Sequence, residues 1–189
     1  MKKIIILIAV ALLGVSIFTV RAYNLSVSKV KSSTGITNKN STSQSNGLNS
    51  NIFKIKAINF KLKGLDGIEL SLSDLKGKKV FLNFWATWCP PCKAEMPEIE
   101  KLYEETKDSD LVIVAIEIGE PLAAVKSFIN SNKYNFKVLL DSDQSISSQY
   151  NIVSIPTSFF IDADGIIVSK QIGEMNIDQM KENINKLNK

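Results

Sequence analysis

The stretch NFWATWCPPCKAEMP, from Asn83 to Pro97, contains both cysteines of the 189-residue chain, Cys89 and Cys92. It overlaps the end of a nearly continuous apolar run, KKVFLNFW (78–85), which is typical of a strand buried on both faces. We expect a helix to begin at the cysteines. A helix N-terminus has unpaired N–H groups and a partial positive charge, which lower the pKa of a nearby thiol. The spacing therefore predicts Cys89 as the attacking thiolate and Cys92, one turn further on, as the resolving thiol.

The same C-x-x-C spacing also occurs in zinc sites and in structural disulfides. A zinc site needs four ligands, and the chain has no further cysteine and no histidine, so no metal site is predicted. The absence of histidine also excludes Ser-His-Asp and Cys-His catalysis. A disulfide that closes so short a loop contributes little stability. Redox chemistry is the favoured interpretation, with the Cys89–Cys92 disulfide as the redox group and no other cofactor.

The positive charge of the chain is concentrated near its N-terminus. Six basic residues and no acidic residue precede position 53, whereas residues 53–189 contain 17 lysines and 19 acids. The net charge of +4 therefore does not predict binding to nucleic acid.

The N-terminus has the pattern of a membrane anchor. Residues 1–3 include Lys2 and Lys3, and residues 4–20 are uncharged, long enough to rise about 25 Å as a helix. This run exceeds the apolar core of most signal peptides, and no A-x-A cleavage site follows it. We predict an uncleaved, single-pass signal anchor in the cell membrane, with the N-terminus cytoplasmic and the remainder extracytoplasmic. A cleaved signal peptide is the alternative.

Two further regions follow the predicted anchor. Residues 21–51 are dominated by Ser, Asn and Thr, which predicts a flexible linker. Residues 52–189 are predicted to form one monomeric folded domain. Strand and helix patterns alternate there in the order hairpin, β, α, β, α, β, short α, β, β, α, which predicts an α/β fold with a central mixed sheet flanked by helices. Three local predictions accompany this order: an N-terminal hairpin around the Gly64–Gly67 turn, Pro121 as the first residue of a helix, and Asp143 as a helix cap.

Three motifs together resemble the thioredoxin superfamily. They are the cysteine stretch itself, LSDLKGKKV (72–80) and SIPTSFFID (154–162), and the resemblance extends from about Phe60 to Leu187. More narrowly, the chain resembles the membrane-anchored thiol-disulfide oxidoreductases of the TlpA/ResA type, including those of cytochrome c maturation. The resemblance implies a thioredoxin-like fold in which Pro156 occupies the cis-proline position beside the cysteines. It also implies that Ile155 and Pro156 contact the substrate and that Trp88 covers the site.

The proton-transfer group is expected to differ from that of thioredoxin. Thioredoxins carry a buried aspartate below the dithiol, where this chain has Asn83, which cannot take a proton. Glu95, three residues past Cys92 on the same helical face, is the predicted replacement, and ResA-like proteins carry a glutamate there. Glu117, at the end of a buried strand, is a second candidate for a proton relay. A solvated surface glutamate is the alternative for each.

The two prolines between the cysteines indicate the direction of the reaction. Pro90 and Pro91 have no N–H, so two groups that could stabilise a Cys89 thiolate are missing. Reductants are expected to have the less stabilised thiolate. We therefore predict an extracytoplasmic protein-disulfide reductase.

The resemblance implies partners for such a reductase. The oxidised C-x-x-C-H of apocytochrome c is the expected substrate, and a CcdA/DsbD-type membrane thiol transporter is the expected electron donor. Envelope or spore-maturation proteins and a methionine sulfoxide reductase are alternative targets. A thiol peroxidase is disfavoured because the domain lacks arginine and a T-x-x-C motif. A non-catalytic binding module would not need both cysteines.

Overall fold

The computed structural model describes residues 55–188 of the chain. The predicted anchor and linker lie outside these residues, as does the start of the predicted domain. Within 55–188 the chain forms seven strands, four α-helices and two 3₁₀ turns. The strands are β1 (Lys61–Gly64), β2 (Glu69–Ser71), β3 (Lys79–Trp85), β4 (Leu111–Ile118), β5 (Lys137–Asp141), β6 (Thr157–Ile161) and β7 (Ile167–Ile172). The helices are α1 (Pro90–Thr106), α2 (Leu122–Asn132), α3 (Ser145–Gln149) and α4 (Ile177–Asn185), and the 3₁₀ turns are Leu72–Leu75 and Lys186–Asn188.

The seven strands form one mixed sheet in the order β2-β1-β5-β4-β3-β6-β7. Strands β3, β4 and β5 are parallel, while β1 and β6 run antiparallel to their neighbours β5 and β3. The predicted N-terminal hairpin is β1–β2, which extends the sheet beyond β5. The two parallel crossovers carry α1 and α2 on the same face, as right-handed connections in one direction require. The predicted mixed sheet with flanking helices is confirmed.

Apolar side chains pack on both faces of the sheet. On the face covered by α1, α2 and α4, Phe81 stacks on Phe160 with ring centroids 4.8 Å apart. On the other face Phe84 packs against Tyr150 and Phe159. Because β3 lies between β4 and β6 and is covered on both faces, its residues from Val80 to Trp85 are all buried. The continuous apolar run of this strand follows from that position.

Two local predictions about helix starts differ from the structure. Pro121 is not the first helical residue: its ψ of 138° is extended, and α2 begins one residue later. Asp143 is not the N-cap residue of α3, which is Gln144, but its carboxylate accepts from the N–H of Ser145, the first helical residue, at 3.0 Å. Asp141 binds the next two N–H groups of α3: its buried carboxylate accepts from Ile146 and Ser147 at 3.1 and 2.7 Å. Asp141 can reach them because β5 ends directly below the helix.

The described chain enters the sheet at the end opposite the cysteines. Lys56 bridges Ile166, and the N–H of Ala57 donates to the carbonyl of Gly165 at 2.9 Å, in the turn between β6 and β7. Because β6 is antiparallel to β3, this turn lies near the start of β3, whereas the cysteines follow its end. Between residues 55 and 188 no helix combines the length and apolar character needed to cross a bilayer.

Candidate active site

The cysteines lie where β3 ends and α1 begins. Cys89 is the N-cap of α1, with extended backbone, and it forms a disulfide with Cys92 in the first turn. Both side chains are buried, at 3% and 0% exposure, because the disulfide packs on the apolar face of α1 that also buries Met96 and Ile99. Cys92, the predicted resolving thiol, is the more deeply buried of the two by this small difference.

No N–H group in the first turn of α1 remains free for a second bond to the Cys89 sulfur. Pro90 and Pro91 have none, and the N–H of Cys89 itself donates to the carbonyl of Ala86 at 3.3 Å. The N–H of Cys92 donates to Cys89 Sγ at 3.2 Å. Helix N-termini ordinarily offer four unpaired donors. In α1 only one of these four donors, the N–H of Cys92, bonds the Cys89 sulfur that would carry the negative charge.

The loop before β6 lies against the same sulfur. The Ile155–Pro156 peptide bond is cis, which agrees with the position that the thioredoxin resemblance implies for Pro156. The carbonyl oxygen of Ile155 is 3.7 Å from Cys89 Sγ. In the reduced protein the Cys89 thiol can donate to this oxygen. A carbonyl dipole that faces the sulfur favours the neutral thiol over the thiolate.

An open groove borders the disulfide on the side of Trp88. Its volume is about 410 Å³, and its lining includes Trp88, Ile118, Val153 and Ile155. Trp88 is 66% exposed and Val153 is 88% exposed, which is unusual for side chains of this size and polarity. Trp88, immediately before Cys89 in the chain, therefore presents an exposed apolar surface at this groove. Exposed aromatic side chains next to a groove are typical of protein-binding surfaces.

Glu95 lies on the buried face of α1 and is 1% exposed. Its Oε1 accepts from the N–H of Met175 at 3.1 Å, and its Oε2 accepts from Asn83 Nδ2 at 3.1 Å. Burial raises the pKa of Glu95 to about 7, although both hydrogen bonds act in the opposite direction. The alternative of an exposed surface glutamate is wrong for Glu95. A carboxyl that titrates near neutrality can both take and return a proton at ordinary pH.

Asn83 connects Glu95 to β6. Its Nδ2 also donates to Ser158 Oγ at 2.9 Å, and all three side chains are buried. Ser158 pairs with Asn83 in the β3–β6 register, so the sheet itself places the hydroxyl beside the amide. Asn83, which stands where thioredoxins carry the buried aspartate, therefore donates a hydrogen bond to Glu95, the acid predicted to replace that aspartate.

Glu117 is also buried, at 0% exposure, and lies opposite Trp85 in the β3–β4 register. Burial raises its pKa to about 8, and the negative charges of Glu120 and Asp141 act in the same direction. The alternative that Glu117 is a solvated surface glutamate is therefore wrong as well. The described side chains between residues 55 and 188 include no cluster of three or more that could hold a metal ion.

Sequence reasoning missed Glu120, which binds the loop that precedes the cysteines. Its carboxylate accepts from the N–H of Thr87 at 2.6 Å and from Thr87 Oγ1 at 2.5 Å. The available signal was the same as for Glu117, because Glu120 follows Gly119 just after a buried parallel strand. The bond between Glu95 and Met175 spans 80 residues, and no local pattern indicated it.

Comparison with known proteins agrees with this geometry. Residues 54–170 match the sequence profile described as the AhpC/TSA family. The chain belongs to the AhpC/TSA family. Within that family its relatives include the thiol-disulfide oxidoreductase ResA of Bacillus thuringiensis (strain Al Hakam), which is 42% identical over 132 residues, covering 70% of this chain and 76% of the relative. ResA of Bacillus subtilis (strain 168) is 41% identical over 129 residues, covering 68% and 72%.

Solved structures show the same thioredoxin-like fold in this AhpC/TSA member. StoA from Bacillus subtilis superposes with a TM-score of 0.61 at 34% identity, over 67% of this chain and 96% of StoA. A thiol:disulfide interchange protein from Chlorobium tepidum TLS gives 0.64 at 28% identity, over 70% and 94%. With its disulfide-bonded Cys89–Cys92 pair, this AhpC/TSA protein is a thiol-disulfide oxidoreductase. The predicted family, fold and enzyme class are confirmed.

Proposed function

We propose that the protein is a membrane-tethered, extracytoplasmic reductase of protein disulfides. The observation that carries the reducing direction is the hydrogen bonding of Cys89, whose sulfur receives one N–H, from Cys92, and faces the carbonyl of Ile155. Strong oxidants of this fold gain their potential from a stabilised thiolate. A poorly stabilised Cys89 thiolate makes the reduced dithiol the higher-energy form, and the protein then gives up electrons readily.

The reaction proceeds in two exchange steps. The Cys89 thiolate attacks one sulfur of the substrate disulfide, and the other substrate sulfur leaves as a thiolate. Cys92 then loses its proton to Glu95 and attacks Cys89 Sγ, which releases the second substrate sulfur and forms the Cys89–Cys92 disulfide. Two electrons pass to the substrate, and the proton on Glu95 is available to the departing thiolate. The pKa of Glu95, near 7, suits both transfers.

The exposed surface around the disulfide supports a protein substrate. An extended segment placed along the groove would contact Trp88 and reach the carbonyl and N–H groups of the loop before Pro156. The oxidised C-x-x-C-H of apocytochrome c is the proposed substrate, on the strength of the resemblance to cytochrome c maturation proteins. A CcdA/DsbD-type membrane thiol transporter is the proposed electron donor.

The tether is proposed from the sequence of residues 1–51. The apolar run at 4–20 and the linker at 21–51 would keep the domain at the outer surface of the cell membrane. Fusion of a reporter enzyme after residue 51, together with protease treatment of intact cells, tests this topology. Protection of the reporter from external protease would contradict it.

Equilibration of the protein with glutathione tests the proposed direction of the reaction, reduction of substrate disulfides. We expect a reduction potential below about −200 mV, whereas a value near about −120 mV, as in strong oxidants, would contradict the proposal. Trapping identifies the substrate, because Cys92→Ser removes the resolving thiol and leaves mixed disulfides through Cys89. Recovery of apocytochrome c in the mixed disulfides supports the proposed substrate. Recovery of other envelope proteins or of a methionine sulfoxide reductase in its place would contradict it and identify the substrate as one of those proteins. Cys89→Ser is the matched control and should trap nothing.

A further inference from the structure

Glu117 is a buried acid for which the exchange steps above have no use. It lies on the face of the sheet covered by α1 and α2, directly across from Trp85 on β3. Its Oε1 accepts from the N–H of Glu120 at 3.0 Å. Its Oε2 is buried and has no hydrogen-bond partner among the atoms of residues 55–188. Buried polar atoms in native structures are ordinarily paired, so this oxygen needs an explanation.

The partner of Glu117, Glu120, is bound to the loop that carries the reactive cysteine. Both Glu120 oxygens are taken by Thr87, one by its N–H and one by its hydroxyl. Thr87 stands two residues before Cys89, between the end of β3 and the start of α1. A displacement of Glu120 would therefore free the backbone immediately before the N-cap of α1.

The surroundings of Glu117 favour its neutral form. The ionisable side chains that act on it are Glu120, in the loop after β4, and Asp141, at the end of β5, and both are acidic. Its neighbour on β3 is Trp85, which carries no charge, and the α2 side chains buried against this face are Val125 and Ile129. Burial raises the pKa of Glu117 to about 8, so the carboxyl carries a proton at neutral pH. A proton on the unpartnered Oε2 turns that atom into a donor.

We propose that Glu117 is a positioning residue of the dithiol, whose protonated carboxyl donates to Glu120 and so keeps Glu120 in place to bind Thr87. Loss of this proton leaves two adjacent carboxylates that repel each other, and the bonds to Thr87 weaken. The contacts exist whatever the enzyme's substrate is, so the inference goes beyond the proposed function. It assigns the loop before Cys89 a geometry that depends on a proton held by Glu117 on the neighbouring strand β4.

The oxidised protein allows a test that is free of thiol titration, because disulfide-bonded cysteines do not ionise. The amide chemical shift of Thr87 is followed by NMR from about pH 6 to pH 10. We expect an inflection near pH 8 in the wild-type protein. Glu117→Gln keeps an N–H donor toward Glu120 but cannot titrate, so the inflection should disappear. Glu182→Gln, on the exposed side of α4, is the matched control and should leave the inflection unchanged. Absence of the inflection from the wild type, or its persistence in Glu117→Gln, overturns the proposal.

Turnover measurements distinguish a positioning role of Glu117 from a role in packing alone. Glu117→Met preserves the approximate size of the side chain but removes the donor, and we expect turnover of a protein disulfide to fall about three- to tenfold, the effect of one lost hydrogen bond. Glu117→Gln should restore turnover to within about twofold of wild type. Equal turnover in the two variants contradicts the proposal.

A second position keeps the test decisive if Glu117→Met does not fold. Thr87→Val removes the hydroxyl donor at the other end of the contact, and Thr87→Ser restores it. Thr87→Val should lower turnover about three- to tenfold, and Thr87→Ser should recover it. Wild-type turnover in Thr87→Val would contradict the proposal. A protein that shows the Thr87 inflection yet reduces no protein disulfide would overturn the proposed function and leave this inference standing.

Discussion

Asn83 donates a hydrogen bond from Nδ2 to Glu95 Oε2 at 3.1 Å, with both side chains fully enclosed. The amide therefore stabilises the charged form of the acid that replaces the thioredoxin aspartate. Burial acts in the opposite direction and is the larger effect, since the pKa of Glu95 is raised to about 7. The balance between the two places the titration of Glu95 within the physiological range.

Glu95→Gln should impair the resolving step. The amide cannot accept the proton of Cys92, and general-base catalysis by one side chain is worth about a hundredfold or more. We expect turnover at neutral pH to fall at least about tenfold and the loss of wild-type activity below pH 7 to disappear, because that loss reflects protonation of Glu95. Stopped-flow measurement of mixed-disulfide decay against pH gives both quantities. Glu105→Gln, on the same helix and ion-paired with Lys181 at the surface, is the control. An unaltered pH profile in Glu95→Gln would exclude this role.

Glu95 should also make the stability of the oxidised protein depend on pH. Its pKa rises from 4.5 to about 7 on folding, so the folded state binds the proton more tightly than the unfolded chain. The resulting stabilisation is fully present below pH 4.5 and is lost as the pH rises through about 7, a difference of about 3 kcal/mol in the free energy of unfolding. Glu117 acts with the same sign up to about pH 8.

Urea unfolding across this pH range measures the effect. The slope of stability against pH should be clearly smaller in Glu95→Gln, with the contribution of Glu117 remaining. Glu95→Gln also changes the absolute stability, because Met175 and Asn83 donate to different oxygens of Glu95 and the amide replaces one of those oxygens with an NH₂ donor. An equal slope in wild type and Glu95→Gln would contradict the prediction.

Pro91→Ala should make the protein more oxidising. Pro91 is the second residue of α1, and an N-cap side chain accepts from the N–H of the second or third helical residue. The new N–H would stabilise the Cys89 thiolate, and we expect its pKa to fall by about one unit and the reduction potential to rise by about 30 mV. Pro90→Ala is the matched comparison and should give a smaller shift, because an N-cap side chain accepts mainly from the second or third helical N–H. A larger shift in Pro90→Ala than in Pro91→Ala would contradict this prediction.

Trp88→Ala should weaken the docking of protein substrates without affecting the fold. The side chain is 66% exposed, so its removal costs little packing, and aromatic anchors at interfaces are worth about 2 kcal/mol or more. We expect KM for a protein disulfide to rise at least about tenfold, while the rate with oxidised glutathione stays the same. Ile68→Ala is a matched control, since Ile68 is 67% exposed but lies in the β1–β2 turn at one edge of the sheet, with β5 and β4 between β1 and β3. A similar rise in KM for Ile68→Ala would exclude a specific role for Trp88.

The sequence predicted the elements well where a local pattern determines them. The run at 78–85 and the cysteines that follow it predicted β3 and the start of α1, because burial on both faces and N-terminal prolines are local signals. The position of Pro156 beside Cys89 came from the family resemblance. Glu95 was expected as the replacement acid from its helical spacing and the family resemblance, but its bond to the N–H of Met175 joins residues 80 positions apart.

The remaining contacts depend on strand register, which no local pattern specifies. Asn83 meets Ser158 because β6 pairs antiparallel with β3, and a shift of one residue would turn Ser158 to the opposite face. Asp141 binds the start of α3 for a similar reason, since the helix follows the end of β5 so closely. The contact between Glu120 and Thr87 joins two loops at the ends of neighbouring strands. All three required the assembled sheet.

The first described residues meet the sheet beside Ile166, at the end opposite the cysteines. A strand of seven residues spans about 20 Å, so the disulfide lies roughly that far from Lys56 and at the opposite pole. Ile55, the first described residue, therefore lies at the pole of the domain opposite the disulfide. The disulfide is bordered by the exposed side chain of Trp88, and we expect a protein that delivers or withdraws electrons to approach on that side. The protein that donates electrons and the protein that accepts them would then bind in turn to the same surface of the domain.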